Sequence, residues 1–199
     1  ILGHPYALNP PGERSGPDGS DQRGVGKSDD GWTAPFVMAA INTRIVRRSN
    51  ALLGHRYGRD FRYQEYSHFP KTAKGLAIAT GMAAGLTAMV VGATIPGVRD
   101  LIADKLPKSG EGPDAAAREA GGFSCKVVGE GDGFGVTGRV EGDLDPGYGQ
   151  TAIMLAESAL CLARDEAEGL GGGILTPASA MPGALLTRLR DAGMRFSID

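Results

Sequence analysis

The chain has 199 residues and a mass of 20.6 kDa, which is enough for one ordinary domain or two small ones. Hydrophobic residues make up 41% and charged residues 22%, as in globular proteins, so the composition excludes a disordered or fibrous chain. The net charge of -2 shows none of the basic excess of nucleic-acid-binding proteins, and we expect no nucleic-acid partner.

The first 31 residues are rich in Gly, Pro, Ser and Asp, which predicts a flexible segment, with a domain following over residues 32–199. Their pattern does not resemble a signal peptide, since a charged region, an apolar region and a small-residue cleavage site do not follow one another. Because the sequence opens at Ile1 rather than Met, we expect it to be a piece of a longer polypeptide.

A helix is predicted over residues 33–53, where apolar side chains recur at helical spacing. Thr33 is suited to cap this helix, Pro35 fits its first turn, and Gly54 is a typical terminator. Residues 61–69 alternate as in a strand.

The stretch of residues 75–98 contains no charged residue and is about as long as a membrane span. It is rich in Ala, Gly and Thr, and Gly81 and Gly85 stand at the GxxxG spacing of close helix contacts. The composition favours a buried or interface helix; contact with a membrane surface and a true span are the alternatives.

The remaining elements alternate strands and helices without a regular βαβ order. Strands are predicted over residues 123–128, 136–141 and 194–198. Helices are predicted over residues 151–163 and 184–192, and we expect the first of these helices to be deeply buried. This order predicts an α+β fold with helices packed on a mainly antiparallel or mixed sheet. Cys125 and Cys161 lie in apolar runs, and we expect buried reduced thiols.

Glycines between the first two of these strands resemble a dinucleotide-binding loop only superficially. That fingerprint needs a strand before it and a helix after it, whereas here a strand follows, so a glycine-rich hairpin turn is favoured over residues 129–135. The three histidines have no metal-like spacing, and no metal site is expected.

The strongest chemical candidates are polar side chains on the first predicted helix. Guanidinium groups three or four residues apart share a helix face and suit carboxylate or phosphate anions. The alternative is a solvated or interface face with salt bridges. Two predicted helix starts, at 145–151 and 175–179, have free N–H groups that can bind an anion or a carbonyl, although plain capping explains them equally well.

Six ordered blocks, spread over about residues 31–199, carry a family resemblance. They read TAPFVMAAINTRIVRRSNALLG, YGRDFRYQE, PKSGEGP, DPGYGQTAIMLAESALCLA, GGGILTPASAM and LLTRLRDAGMRFSI. In this order they resemble the C-terminal half of saccharopine dehydrogenase-like oxidoreductases, and most closely the branch of trans-acting enoyl reductases.

This resemblance implies a two-domain enzyme whose N-terminal Rossmann domain binds NADP or NAD. The expected location is the cytoplasm, with contact to a membrane as an alternative. The present chain lacks that half, so it would be the substrate-binding and dimerisation domain, with the Rossmann domain and a second copy as partners and no cofactor bound to it alone. Enoyl reduction of a lipid or polyketide-derived substrate is the implied reaction. A non-catalytic dimerisation or lipid-binding module and an amino-acid enzyme closer to true saccharopine reductases are the alternatives.

The resemblance also selects the site residues. The arginines are expected to recognise an anion or carbonyl, and Tyr148 to donate a proton. The expected substrate-binding residues are Asn42, Arg44, Arg47, Arg48, Asn50, Tyr57, Thr151 and Thr176.

Overall fold

The computed structural model describes residues 4–14, 16–17, 24–105, 110–165 and 172–199. The chain forms two compact units, Ile1–Leu106 and Pro107–Asp199. Each contains a small antiparallel sheet together with helices, so the predicted α+β class is confirmed. Residues 1–3, 15 and 18–23 of the predicted flexible segment lie outside the described residues, and the flexibility of that segment stays a prediction.

The first unit has a three-stranded sheet, ordered β1 (Gly26–Lys27), β2 (Gly31–Pro35) and β3 (Tyr66–Pro70). Thr33 pairs with His68 in the antiparallel register of β2 and β3. The prediction that Thr33 caps a helix is therefore wrong: helix α1 covers Ala39–Leu52 and has no side-chain cap. Residues 31–34 bury most of their side chains in the sheet, and this burial outweighs the local helix-start signal.

Helix α2 (Ala73–Gly92) follows β3 and packs on β2 and β3, and α3 (Val98–Lys105) comes next. The Thr72 hydroxyl caps α2 by accepting a hydrogen bond from Gly75 N at 3.0 Å. Small residues at a spacing of four, Gly75, Ala79 and Ala83, form the buried face. Burial of α2 within its unit is thus confined to a narrow stripe, and its other faces are exposed.

One helix among the described residues, α2, is long and apolar enough to cross a membrane by length and composition, with a mean hydropathy of 1.7. Only 22% of its most apolar window is buried. An added Cβ at Gly81 or Gly85 would meet nothing within 4 Å, so the GxxxG pair contacts no other described part of the chain.

The second unit begins with α4 (Ala115–Glu119) and the hairpin of β4 (Phe123–Gly131) and β5 (Phe134–Gly142). The predicted hairpin turn is confirmed: Gly131 pairs with Phe134, and Gly133 has a φ of +81°, which glycine adopts without steric cost. The helices α5 (Gly149–Arg164), α6 (Pro177–Ala180) and α7 (Pro182–Asp191) follow, and β6 (Arg195–Ile198) completes the sheet beside β5.

The small core of the second unit lies where α5, α6 and α7 meet. Its buried members are Cys161, Ala180, Met181 and Leu185. The expectation of a deeply buried α5 is wrong, since Gln150 and Cys161 alone are buried there and Leu155 is 71% exposed. Cys125 is also exposed, contrary to expectation, because its strand face lies open, whereas Cys161 is a buried free thiol.

Candidate functional site

Polar residues of α1 form the first part of the candidate site, and most of them are buried. Thr43, Arg44, Arg47, Ser49 and Asn50 are each at most 6% exposed. Helix α1 ends at a sharp reversal where Gly54 and His55 both have a positive φ, and this turn directs residues 55–63 back along the helix. The helix thus presents its guanidinium and amide groups to protein rather than to bulk water.

Arg47 is the centre of this cluster. Its guanidinium donates to the Pro5 carbonyl at 3.2 Å and to the Tyr63 carbonyl at 3.0 Å, and it lies 5.6 Å from the centroid of the Tyr6 ring. Arg48 donates to the Leu8 carbonyl. Both arginines therefore fasten residues 4–8 to α1.

Residues 9–14 continue this attachment. The Asn9 amide donates to the Glu13 carbonyl at 2.9 Å, and the Glu13 carboxylate lies 2.8 Å from His55 Nε2. Asn9 is 5% exposed, and its Oδ1 accepts no hydrogen bond from the described residues. A buried acceptor of this kind carries a desolvation cost that a bound donor would relieve.

Asn50 and Tyr57 are joined at the end of α1. Asn50 donates to the Gly58 carbonyl and accepts from the Tyr57 backbone N–H, both at 2.9 Å. The Tyr57 ring is 44% exposed and lies 5.3 Å from the Phe61 ring. The structure therefore brings these two predicted residues together, using Asn50 to fix the loop.

Asn42 lies at the other end of the cluster. Its amide donates to Glu65 Oε2 at 2.9 Å, while the Tyr63 hydroxyl donates to Oε1 at 3.1 Å. Arg44 donates to the Thr43 hydroxyl at 2.8 Å. Asn42 therefore holds Glu65 against α1, as Arg47 holds the Tyr63 carbonyl.

A small cavity of about 10 Å³, with room for about one water molecule, lies between Tyr6, Asn9 and Gly16 on one side and α1 and the loop after it on the other. Its polar lining residues are Asn9, Arg47, Asn50, His55 and Arg59. Arg59 is exposed, and its side chain makes no hydrogen bond or ion pair with the described residues. Sequence reasoning missed Arg59, because a lone arginine in a loop carries no periodic signal.

The other predicted site residues lie in the second unit. Tyr148 precedes α5 and is 56% exposed, and its ring lies over Gly112. The Asp145 carboxylate accepts from the Tyr148 backbone N–H at 2.7 Å, and this hydrogen bond is the main reason that the pKa of Asp145 is lowered. Thr151 donates to the Pro146 carbonyl. The start of α5 is therefore capped by its own chain, with the phenol left accessible.

Thr176 is 4% exposed and forms a capping box with Ser179 at the start of α6. The two hydroxyl oxygens lie 3.0 Å apart. The predicted cap at Thr176 followed by Pro177 is confirmed. Substrate binding by Tyr148, Thr151 and Thr176 stays a prediction, as it does for the residues of α1.

The chain is similar to mycobacterial proteins named as trans-acting enoyl reductases. One from Mycobacterium tuberculosis H37Rv, which bears that name provisionally, is 41% identical over 170 residues. Others are 38% identical in Mycobacterium bovis BCG and 37% identical in Mycobacterium ulcerans. The matches cover 82–83% of this chain but only 40–41% of each relative, so the chain spans about two fifths of their length.

No family model and no solved structure matches the chain. Among the described residues, no group of three or more His, Cys, Asp or Glu side chains could hold a metal ion.

Proposed function

We propose that this chain is the substrate-binding and dimerisation part of an NAD(P)-dependent enoyl reductase of the saccharopine dehydrogenase-like type. The names of relatives at 37–41% identity support the reaction class. The single observation that supports a substrate site in this chain is that Arg59, Arg47 and Asn50 line the same small cavity.

The described residues do not fit a dinucleotide. The glycine-rich run 129–135 comprises the end of β4, the turn at residues 132–133 and the start of β5, so a strand rather than a helix follows the turn. We therefore assign the cofactor to a separate Rossmann domain. The role of this chain is to bind and orient the substrate and to exclude water from it.

The cavity supplies hydrogen-bond donors for a carbonyl or an anionic group of the substrate. The Arg47 guanidinium is held in place by two backbone carbonyls and an aromatic ring, whereas Arg59 stands at the edge of the cavity with its donors available. A rigid donor beside a mobile one suits a ligand that enters from solvent and is then oriented. Arg59 is the residue whose removal should affect binding without affecting folding.

The test is a kinetic comparison in the whole protein that contains this chain, following NADPH oxidation with enoyl thioesters of increasing chain length. We expect Arg59→Ala to lower kcat/KM by about tenfold, the value of one lost charge-assisted contact. Arg62→Ala is the matched control, because Arg62 is exposed in the same loop and its side chain bonds to no described residue. Equal kcat/KM values for the two variants would contradict this role for the cavity.

Tyr148→Phe tests the proposed proton donor in the same assay. The substitution removes one hydroxyl from an exposed ring, so the fold should not change. A fall in kcat by two orders of magnitude or so, with KM unchanged, is expected for a general acid. An unchanged kcat would remove Tyr148 from the mechanism.

A second candidate function, that of a lipid-binding or membrane-binding module, is favoured by the exposed apolar surface of α2. Val90 is 65% exposed and Val91 53%, in a run without charged residues. Lys71 and Lys74 flank this run at one end and Arg99 flanks it at the other. Flanking cations of this kind favour binding to a membrane with anionic lipid headgroups.

Flotation with vesicles containing an anionic phospholipid tests this candidate. Val90→Lys should abolish the binding of the chain, since it places a charge on the contact surface. Ser197→Lys, an exposed site in β6, adds the same charge elsewhere and should leave the binding intact. Failure of the unmodified chain to bind these vesicles would contradict this candidate function.

A further inference from the structure

Strand β4 is an edge strand of the sheet in the second unit. It pairs with β5 at nine consecutive positions, from Phe123 opposite Gly142 to Gly131 opposite Phe134. Among the described residues no strand pairs with its other side. A long, regular edge without proline offers its outer backbone N–H and C=O groups to another strand.

The sheet of the second unit has one apolar and one polar face. The apolar face carries Cys125, Val127, Val136, Val140, Phe196 and Ile198. On the polar face, the residues of β4 are Ser124, Lys126, Val128 and Glu130. Val128 is an exception on this face: it is apolar, 52% exposed, and stands midway between a lysine and a glutamate.

That spacing is self-complementary. Two copies of β4 can pair in antiparallel fashion about a two-fold axis perpendicular to the sheet. Residues that lie opposite each other then point to the same face of the sheet. The axis therefore passes midway between one residue and the same residue of the second copy. With Val128 on the axis, Lys126 of each copy lies directly opposite Glu130 of the other. An axis at Lys126 would oppose two lysines, and an axis at Val127 would oppose Lys126 to Val128.

The charges within one copy favour the same register. Lys126 lies opposite Arg139 on β5, so two cations are neighbours within the sheet, and Glu130 lies opposite Gly135. Glu130 makes no ion pair with the described residues. Lys126 has interactions within its own chain, but its ammonium carries three donors and can take a further acceptor.

We infer that two copies of this chain pair through β4, with Val128 on the two-fold axis, and form one continuous six-stranded antiparallel sheet. In this arrangement Val128 meets its counterpart on the polar face between two ion pairs. Val127, 44% exposed on the apolar face, comes diagonally beside the second Val127. The inference rests on the dimerisation part of the proposed function and is independent of enoyl reductase activity.

Charge reversal tests the register by sedimentation equilibrium. The unmodified chain should form a dimer of roughly twice 20.6 kDa. Lys126→Glu and Glu130→Lys should each raise the dissociation constant of the dimer by about tenfold, because each substitution places like charges opposite each other at two symmetry-related positions. The double variant exchanges the two charges and should restore the dimer. Lys27→Glu and Glu119→Lys, exposed sites outside β4, are the charge-matched controls and should have no effect.

Cross-linking provides a second measurement that leaves these charges in place. In a Cys125→Ser background, Val128→Cys should give a disulfide-linked dimer under mild oxidation, because the two thiols face each other. Ser124→Cys in the same background should not, since its two thiols would stand roughly 27 Å apart.

A monomer at all concentrations would overturn the inference. A dimer whose dissociation constant is unchanged by both charge reversals would overturn it too. So would a dimer that cross-links equally well through residues 124 and 128. None of these readouts depends on catalysis, so a failure of the enoyl reductase proposal is recognised separately.

Discussion

Replacing Arg47 with alanine tests whether the arginines of α1 hold the fold together. Arg47 is 2% exposed and donates to two carbonyls, one of them on the segment of residues 4–14. A net hydrogen bond from a charged donor contributes about 1.5 kcal/mol, and a cation–π contact such as that with Tyr6 adds about 0.5–1 kcal/mol. We therefore expect Arg47→Ala to lower the free energy of unfolding by about 3–4 kcal/mol.

Urea denaturation followed by tryptophan fluorescence measures this change directly. The single tryptophan, Trp32, lies in β2 of the same unit, so its emission reports on that unit. Arg62→Ala is the control and should change stability by no more than about 0.5 kcal/mol. If Arg47→Ala costs less than about 1 kcal/mol, the contacts to the 4–14 segment are not structural, and recognition of an anion becomes the better explanation of this residue.

Two further predictions concern close packing and charge. Gly75→Ala should destabilise the first unit by about 1–3 kcal/mol, because its Cβ would clash with the Pro70 carbonyl oxygen, whereas Gly81→Ala in the same helix should stabilise it by about 0.5–1 kcal/mol. Thermal unfolding compares the two; equal effects would show that α2 does not approach the sheet closely. The hydrogen bond from Arg188 holds the pKa of Asp165 below its ordinary value of 3.8, so the stability it contributes is present above about pH 4 and is lost as the pH falls below that value. Circular dichroism at decreasing pH should show a smaller loss of stability for Asp165→Asn; a parallel curve would contradict this coupling.

Local signals predicted the elements whose ends are set by neighbouring residues. The hairpin of β4 and β5 follows from a turn that contains Gly133, and the cap at Thr176 from a hydroxyl residue before a proline. The start of α1 could not be predicted in this way, because Thr33 takes its conformation from pairing with His68, which lies 35 residues further along the chain.

The arrangement of the candidate site could not be predicted from local spacing. The spacing of Arg44, Arg47 and Arg48 predicted a group on one helix, and all three lie on α1. Its burial depends on residues 4–14, whose docking carries no periodic pattern in the sequence, and Arg59 enters the cavity only because the chain reverses at His55. Likewise α5 has the apolar composition of a buried helix, although few of its residues meet the small core of its unit.

Transfer of a labelled hydrogen tests the central claim most directly. The whole protein that contains this chain is incubated with NADPH deuterated at the transferable position and an enoyl thioester, and the product is analysed by mass spectrometry. If the chain is part of an enoyl reductase, the saturated product carries one deuterium, and the 199-residue chain alone yields none. Absence of any saturated product from the whole protein, over thioesters of short and long chain, would contradict the account.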